Sequence, residues 1–84
     1  MHMGTVLRVL GLLFVIHTRD HEPPHVTIYQ GTPQNYEAVA RIEIMTGRII
    51  SSRRFSVKRL GLLVTIVQAE REYLKEKWDE SRPK

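Results

Sequence analysis

SVKRLGLLVTIVQAEREYLKEKWDE, residues Ser56 to Glu80, is where the hydrophobic period of the chain changes. Val57, Leu60, Val64, Val67, Leu74 and Trp78 recur at three- and four-residue steps, interrupted by Arg71, and this spacing predicts one long amphipathic helix over about 56–80. Ser56 is placed to cap it, Lys75 and Asp79 are spaced for an i,i+4 ion pair, and Pro83 lies beyond its end. Two features oppose a helix here: Gly61 costs about 1 kcal/mol in a helix interior, and Val64-Thr65-Ile66-Val67 has strand propensity. The helical character of Gln68 to Glu80 outweighs both.

Upstream of this segment the period is two. Thr5 to Leu10 and Leu12 to His17 are apolar and rich in β-branched residues, with Gly11 between them as a bulge or bend. His25-Val26-Thr27-Ile28-Tyr29-Gln30 alternates, placing Val26 and Ile28 on one face and His25, Thr27 and Tyr29 on the other. The turn formers Gly31 to Asn35 interrupt the pattern before Ala38 to Ile44 resumes it, with Ala40, Ile42 and Ile44 inward and Arg41 and Glu43 outward. Thr46-Gly47 supplies a residue tolerant of positive φ, so Arg48 to Ser51 returns as a hairpin partner. The expected fold is therefore α+β: a single domain over residues 1–84 in which an antiparallel β-meander of three to five strands, within residues 5–51, packs against one long C-terminal helix. One helix covers one face. The other face, with His25, Thr27, Tyr29 and Arg41, is left open to solvent, ligand or partner.

Composition bounds the function. The chain has 84 residues and no cysteine, which excludes a multidomain enzyme, a disulfide framework and thiolate chemistry, and fits a reducing, cytoplasmic compartment. A chain this short buries only about 60% of its unfolded surface, so a partner protein or a homo-oligomer is expected in advance. The longest apolar run, Val9 to Ile16, falls far short of the roughly 20 residues a membrane span needs. It is followed by His17-Thr18-Arg19-Asp20-His21-Glu22-Pro23, which is unlike a signal-peptide cleavage site. Thirteen Lys and Arg against nine Asp and Glu give +4, and the excess is local: Arg41, Arg48, Arg53, Arg54, Lys58 and Arg59 face Glu43 alone between residues 41 and 67.

Asp20-His21-Glu22-Pro23-Pro24-His25 is the most informative short segment, because two prolines fix their φ angles and force an extended path. His17, His21 and His25 have helical metal-ligand spacing, but no helix runs through Pro23 and Pro24, so they stand only as a secondary metal candidate. In the structural reading, Asp20 closes a turn and His21 bonds to backbone groups that the prolines leave without partners. In the catalytic reading, Asp20 orients His21 or His25 for proton transfer. No nucleophile elbow, phosphate loop or cofactor motif accompanies them, and no reaction can be named.

These residues resemble a small bacterial family, the domain of unknown function 4160, whose hallmark is a glycine, an apolar strand and then Asp-His-x-Pro-Pro-His-Phe-His-Val. Gly11 and the strand to Ile16 match the lead-in, and Asp20, His21, Pro23, Pro24 and His25 match the hallmark. Ala38 to Ile50 resembles the central hairpin, and Arg71-Glu72 with Leu74 and Trp78 resembles the closing helix. Val26-Thr27-Ile28 stands where the family has Phe-His-Val, so Thr27 removes a His-x-His pair, and Glu70 stands where histidine is frequent. The resemblance implies an uncharacterised α+β protein, often encoded beside a member of the domain-of-unknown-function 2442 family, in an arrangement like a toxin-antitoxin gene pair.

The second candidate site is the entry to the helix. Arg53 and Arg54 precede it and Lys58 and Arg59 lie in its first turn, where the macrodipole disfavours each cation by about 0.3 to 1 kcal/mol. A bound phosphate, from RNA or DNA, or a carboxylate would reverse that sign. Phe55, Tyr73 and Trp78 sit at cap or core spacing and form no RNA-binding motif with these cations. The expected function is a cytoplasmic binding protein of a toxin-antitoxin-like pair that acts through its cognate partner. The alternative is an RNA-cleaving toxin that uses His21 and His25 with the basic patch.

Overall fold

The computed structural model describes residues 3–17 and 21–82. Five strands, β1 (Met3–Val9), β2 (Leu12–His17), β3 (His25–Thr32), β4 (Asn35–Glu43) and β5 (Ile49–Arg53), form one antiparallel sheet in the order β1-β2-β3-β4-β5. Two helices follow, α1 (Val57–Ala69) and α2 (Arg71–Glu80). The fold is α+β, as expected, and the sheet is a five-stranded meander whose strands reach two residues further at each end than the 5–51 anticipated.

Gly11 is neither a bulge nor a bend in one strand. Leu10 (φ 54°) and Gly11 (φ 76°) are the two central residues of a tight turn that folds β1 back on β2, with Val9 opposite Leu12. Positive φ at both positions is the type I′ geometry, whose twist matches that of the flanking strands. The β1 bulge lies elsewhere: Thr5 pairs with Val15 and Leu7 with Phe14, which leaves Val6 as the extra residue. Gly47 does take positive φ, 79°, and Glu43 and Arg48 close the β4–β5 hairpin through a backbone bond of 2.8 Å and an ion pair of 3.0 Å.

Alternation then sorts the sheet into two faces. Leu12, Phe14, Ile16, Val26, Ile28, Ala40, Ile42 and Ile44 meet Leu63 and Val67 of α1 and Leu74 and Trp78 of α2 in one fully buried cluster. Ala40, Ile42 and Ile44 thus point where their spacing predicts.

The helical segment differs from expectation in two respects. It is two helices, because Glu70 leaves helical geometry at φ −103°, ψ 19°. Hydrogen bonds still run across the joint, from Glu70 N to Ile66 O and from Leu74 N to Glu70 O, both 2.9 Å. No glycine or proline lies at the joint, so local sequence does not announce the bend; it lets a run that would be about 36 Å long if straight follow a twisted sheet. Ser56 caps α1 as expected, its Oγ accepting from Arg59 N at 3.1 Å, and Lys75 pairs with Asp79 at 3.0 Å. Val57, assigned to the apolar stripe by spacing, is instead 88% exposed as the first residue of α1, whose buried residues are Leu63 and Val67. On α2, Lys77 titrates above the ordinary lysine range because Glu80 accepts a hydrogen bond from it. Pro83 lies outside the described residues.

Among the described residues no helix is long and apolar enough to cross a membrane.

Candidate functional site

The face of the sheet turned away from the helices is built from a different set of side chains. Strand register places Val15, Thr27, Arg41 and Ser51 in one rung across β2 to β5, and Leu13, Tyr29, Val39 and Arg53 in the next. Leu13, Val15 and Tyr29, with Val39 beside them, form a second, smaller apolar cluster. The expectation that Thr27 and Tyr29 stand open to solvent is corrected: Thr27 is 2% exposed and Tyr29 is also buried. They lie low between the strands, as the floor of a groove of about 440 Å³ whose walls include Tyr36, Arg41, Ser51 and Arg53.

Arg41 and Arg53 occupy diagonal positions on neighbouring strands, which brings their backbones to about 7–8 Å on one face. Neither makes an ion pair among the described residues, and the carboxylate two residues along from Arg41, that of Glu43, is already held by Arg48. Among the described residues the buried Oγ1 of Thr27 has no hydrogen-bond partner. Leaving such a group unsatisfied costs about 1–3 kcal/mol, so a buried, unpartnered hydroxyl in a groove floor calls for an explanation. The Tyr29 and Tyr36 rings lie 5.3 Å apart at 53°, and the Tyr29 hydroxyl shares a 3.0 Å hydrogen bond with His17 Nε2.

The residues singled out from the sequence are distributed differently. Of the four cations at the helix entry, Arg53 alone lines the groove. Arg54 turns the chain from sheet to helix with φ 71°, and Lys58 is exposed on the first turn of α1. Arg59 follows it, and its backbone N–H, one of those an anion could have taken, is used by Ser56. The groove thus takes in one of the four, and Arg54, Lys58 and Arg59 are not part of its lining.

The histidines also part company. His25 is buried, its Nδ1 3.0 Å from the carbonyl oxygen of Pro23 and its ring 5.4 Å from that of Trp78. The Pro23 peptide bond is cis. The contact with Trp78 packs the His25 ring on α2 instead of leaving it on the open face. His21 is exposed, and neither it nor His25 lines the groove. Asp20 lies outside the described residues. As for the secondary metal reading of His17, His21 and His25, among the described residues no three His, Asp or Glu side chains come together to hold a metal. His17 is engaged by Tyr29 and His25 by Pro23.

Arg82 secures the end of α2. Its guanidinium lies 3.9 Å from the centroid of the Trp78 ring and donates to the carbonyl oxygen of His17 at 2.9 Å. His25, His17 and the end of α2 are thus tied together around Trp78 and Arg82.

Sequence reasoning placed Thr27, Tyr29 and Arg41 on the uncovered face but missed the convergence of Arg41 with Arg53, together with Ser51 and Tyr36. The only available signal was alternation carried across the β4–β5 hairpin. The bulge that sets Arg41 opposite Ser51 and Ile42 opposite Ile49 shifts that count by one.

No curated protein and no solved structure matches the chain. A family described as Domain of unknown function (DUF4160) matches residues 11–79, from the β1–β2 turn almost to the end of α2. That match takes in β2 to β5, the groove, the proline corner and Trp78, and the chain belongs to this family.

Proposed function

We propose that this protein is a cytoplasmic binding module, one member of a toxin-antitoxin-like gene pair, that works through a cognate partner protein rather than by catalysis of its own. The observation that supports this reading is the β4–β5 hairpin, which carries three exposed large apolar side chains, Met45, Ile49 and Ile50, at one end of a small molecule. Scattered exposed apolar residues are ordinary, but three on one hairpin make a patch suited to protein contact. Arg48, Arg53 and Arg54 flank it, so the matching surface has an apolar centre and an acidic rim. Ile50 is the extra residue of the β5 bulge, which directs its side chain and interrupts the edge, so docking by side chains is favoured over addition of a strand.

The histidine-dependent ribonuclease reading has weaker support, since the Nδ1 of His25 is taken by Pro23 and its ring by Trp78. The test is co-expression with the product of the neighbouring gene, of the domain-of-unknown-function 2442 family where that neighbour is present, followed by size-exclusion chromatography. Co-elution that Ile50→Lys abolishes supports the proposal. Separate elution of the native proteins at micromolar concentration overturns it.

A further inference from the structure

We infer that the groove on the uncovered sheet face is a binding site for a nucleoside phosphate, with the phosphate held between Arg41 and Arg53 and the base laid on Tyr36. This goes beyond the partner-protein reading and does not depend on it.

The argument starts from charge. Two guanidinium groups at diagonal positions on one face repel each other, and nothing among the described residues neutralises them. Glu43 is bound to Arg48, and Glu37, at the other end of β4, accepts a hydrogen bond from Gln30. An anion between the guanidiniums turns the repulsion into two charge-assisted contacts, and planar guanidinium forks suit the oxygens of a phosphate.

The second observation is the floor. Thr27 Oγ1 is buried with no hydrogen-bond partner among the described residues. It stands directly across from Arg41 in the β3–β4 register and lines the same groove, so an anion held by Arg41 lies on the side of the sheet where this hydroxyl sits. Ser51, opposite Arg41 on β5, adds another hydroxyl at the same level.

The third observation separates a nucleotide from a simple anion. Tyr36 is 38% exposed in the groove wall, steadied at 5.3 Å by Tyr29, whose own hydroxyl is held by His17. An aromatic face beside a pair of phosphate-binding arginines on an open sheet is the combination that takes an unpaired base together with its backbone. A volume of about 440 Å³ lies within the usual range for small-molecule sites, about 300–1,000 Å³. A carboxylate-bearing peptide would use the arginines but leave the tyrosine face idle.

The same chemistry is present in a free mononucleotide and in one unit of a single strand, and the experiment distinguishes them. Fluorescence anisotropy of a labelled eight-nucleotide single-stranded RNA is measured against the full chain, with unlabelled mononucleotide, inorganic phosphate and duplex RNA as competitors. The expected result is saturable binding that Arg41→Gln/Arg53→Gln weakens by at least about tenfold while lowering the salt dependence by about two phosphate contacts. Tyr36→Ala weakens it by about tenfold and Tyr36→Phe does not. Lys58→Gln/Arg59→Gln removes the same charge outside the groove and has a smaller effect. Competition by the mononucleotide as strong as that by the strand assigns the site to a free nucleotide; weaker competition assigns it to a single strand. The proposal is overturned if neither strand nor mononucleotide binds, if inorganic phosphate or duplex competes equally well, or if the Lys58/Arg59 variant loses as much as the Arg41/Arg53 variant. Circular dichroism of each variant, matched to the parent chain, keeps a folding defect from being read as lost binding.

Discussion

The phenol of Tyr73 donates a hydrogen bond of 3.0 Å to the carbonyl oxygen of Val6, sixty-seven residues away. Val6 is the extra residue of the β1 bulge, and the bond fastens α2 to the first edge of the sheet. Tyr73→Phe keeps the ring and removes only the donor. It is expected to lower stability by about 0.5–1.5 kcal/mol in urea unfolding. An unchanged midpoint would show that water replaces the phenol without loss.

Leu10 sits 71% exposed at φ 54°, in a turn whose first central position favours Asn. A left-handed leucine costs about 1–2 kcal/mol and here buries little in return. Leu10→Asn is therefore expected to raise stability by about 0.5–1 kcal/mol, read as a higher urea midpoint with an unchanged slope.

Gly61 lies on the exposed side of α1, and a Cβ placed there meets nothing within 4 Å. Gly61→Ala is expected to gain about 0.5–1 kcal/mol by the difference in helix propensity alone. Thermal unfolding followed at the helical signal checks it; a loss would mean that this surface is covered in solution.

Thr27→Val replaces the buried, unpartnered hydroxyl with a methyl group of similar shape. If the hydroxyl serves a ligand, the variant gains about 1 kcal/mol or more in stability while losing affinity for nucleotide. Urea unfolding and anisotropy on the same preparation test both halves, and a gain in stability with undiminished binding removes Thr27 from the site.

Trp78 is held between Arg82 and His25 and is fully buried against the sheet. Trp78→Ala is expected to cost about 3–5 kcal/mol, a large share of the stability of a chain this small. Arg82→Ala removes the contact with the Trp78 ring and the bonds to His17 and Ser81 while leaving the indole in place, with an expected cost of about 1–2 kcal/mol. Comparable losses from the two variants would show that the tryptophan depends on its cation.

Several parts of this architecture were legible one segment at a time. The alternation of Val26 and Ile28, and of Ala40, Ile42 and Ile44, identified the core face because the side-chain period of a strand is two, whatever lies next to it. Ser56 was readable as a cap because its partner is three residues away, and Lys75 and Asp79 as a pair because they are four apart. The bend at Glu70 and the exposure of Val57 were not legible, since both depend on how a helix of this length meets a twisted sheet.

The candidate site divides along the same line. Local spacing drew attention to the histidines and to the cations at the helix entry, because neighbours in sequence look like neighbours in space. Of those residues only Arg53 lines the groove, and strand pairing brings Arg41 to Arg53 and Thr27 to Arg41 there instead. Amino-acid order alone determined that there would be an antiparallel sheet followed by helix, with one face apolar, because those properties follow from short-range periodicity. Which polar side chains would share a groove was decided only by tertiary structure: register and bulges set those distances, and one residue of slippage moves a side chain to the opposite face.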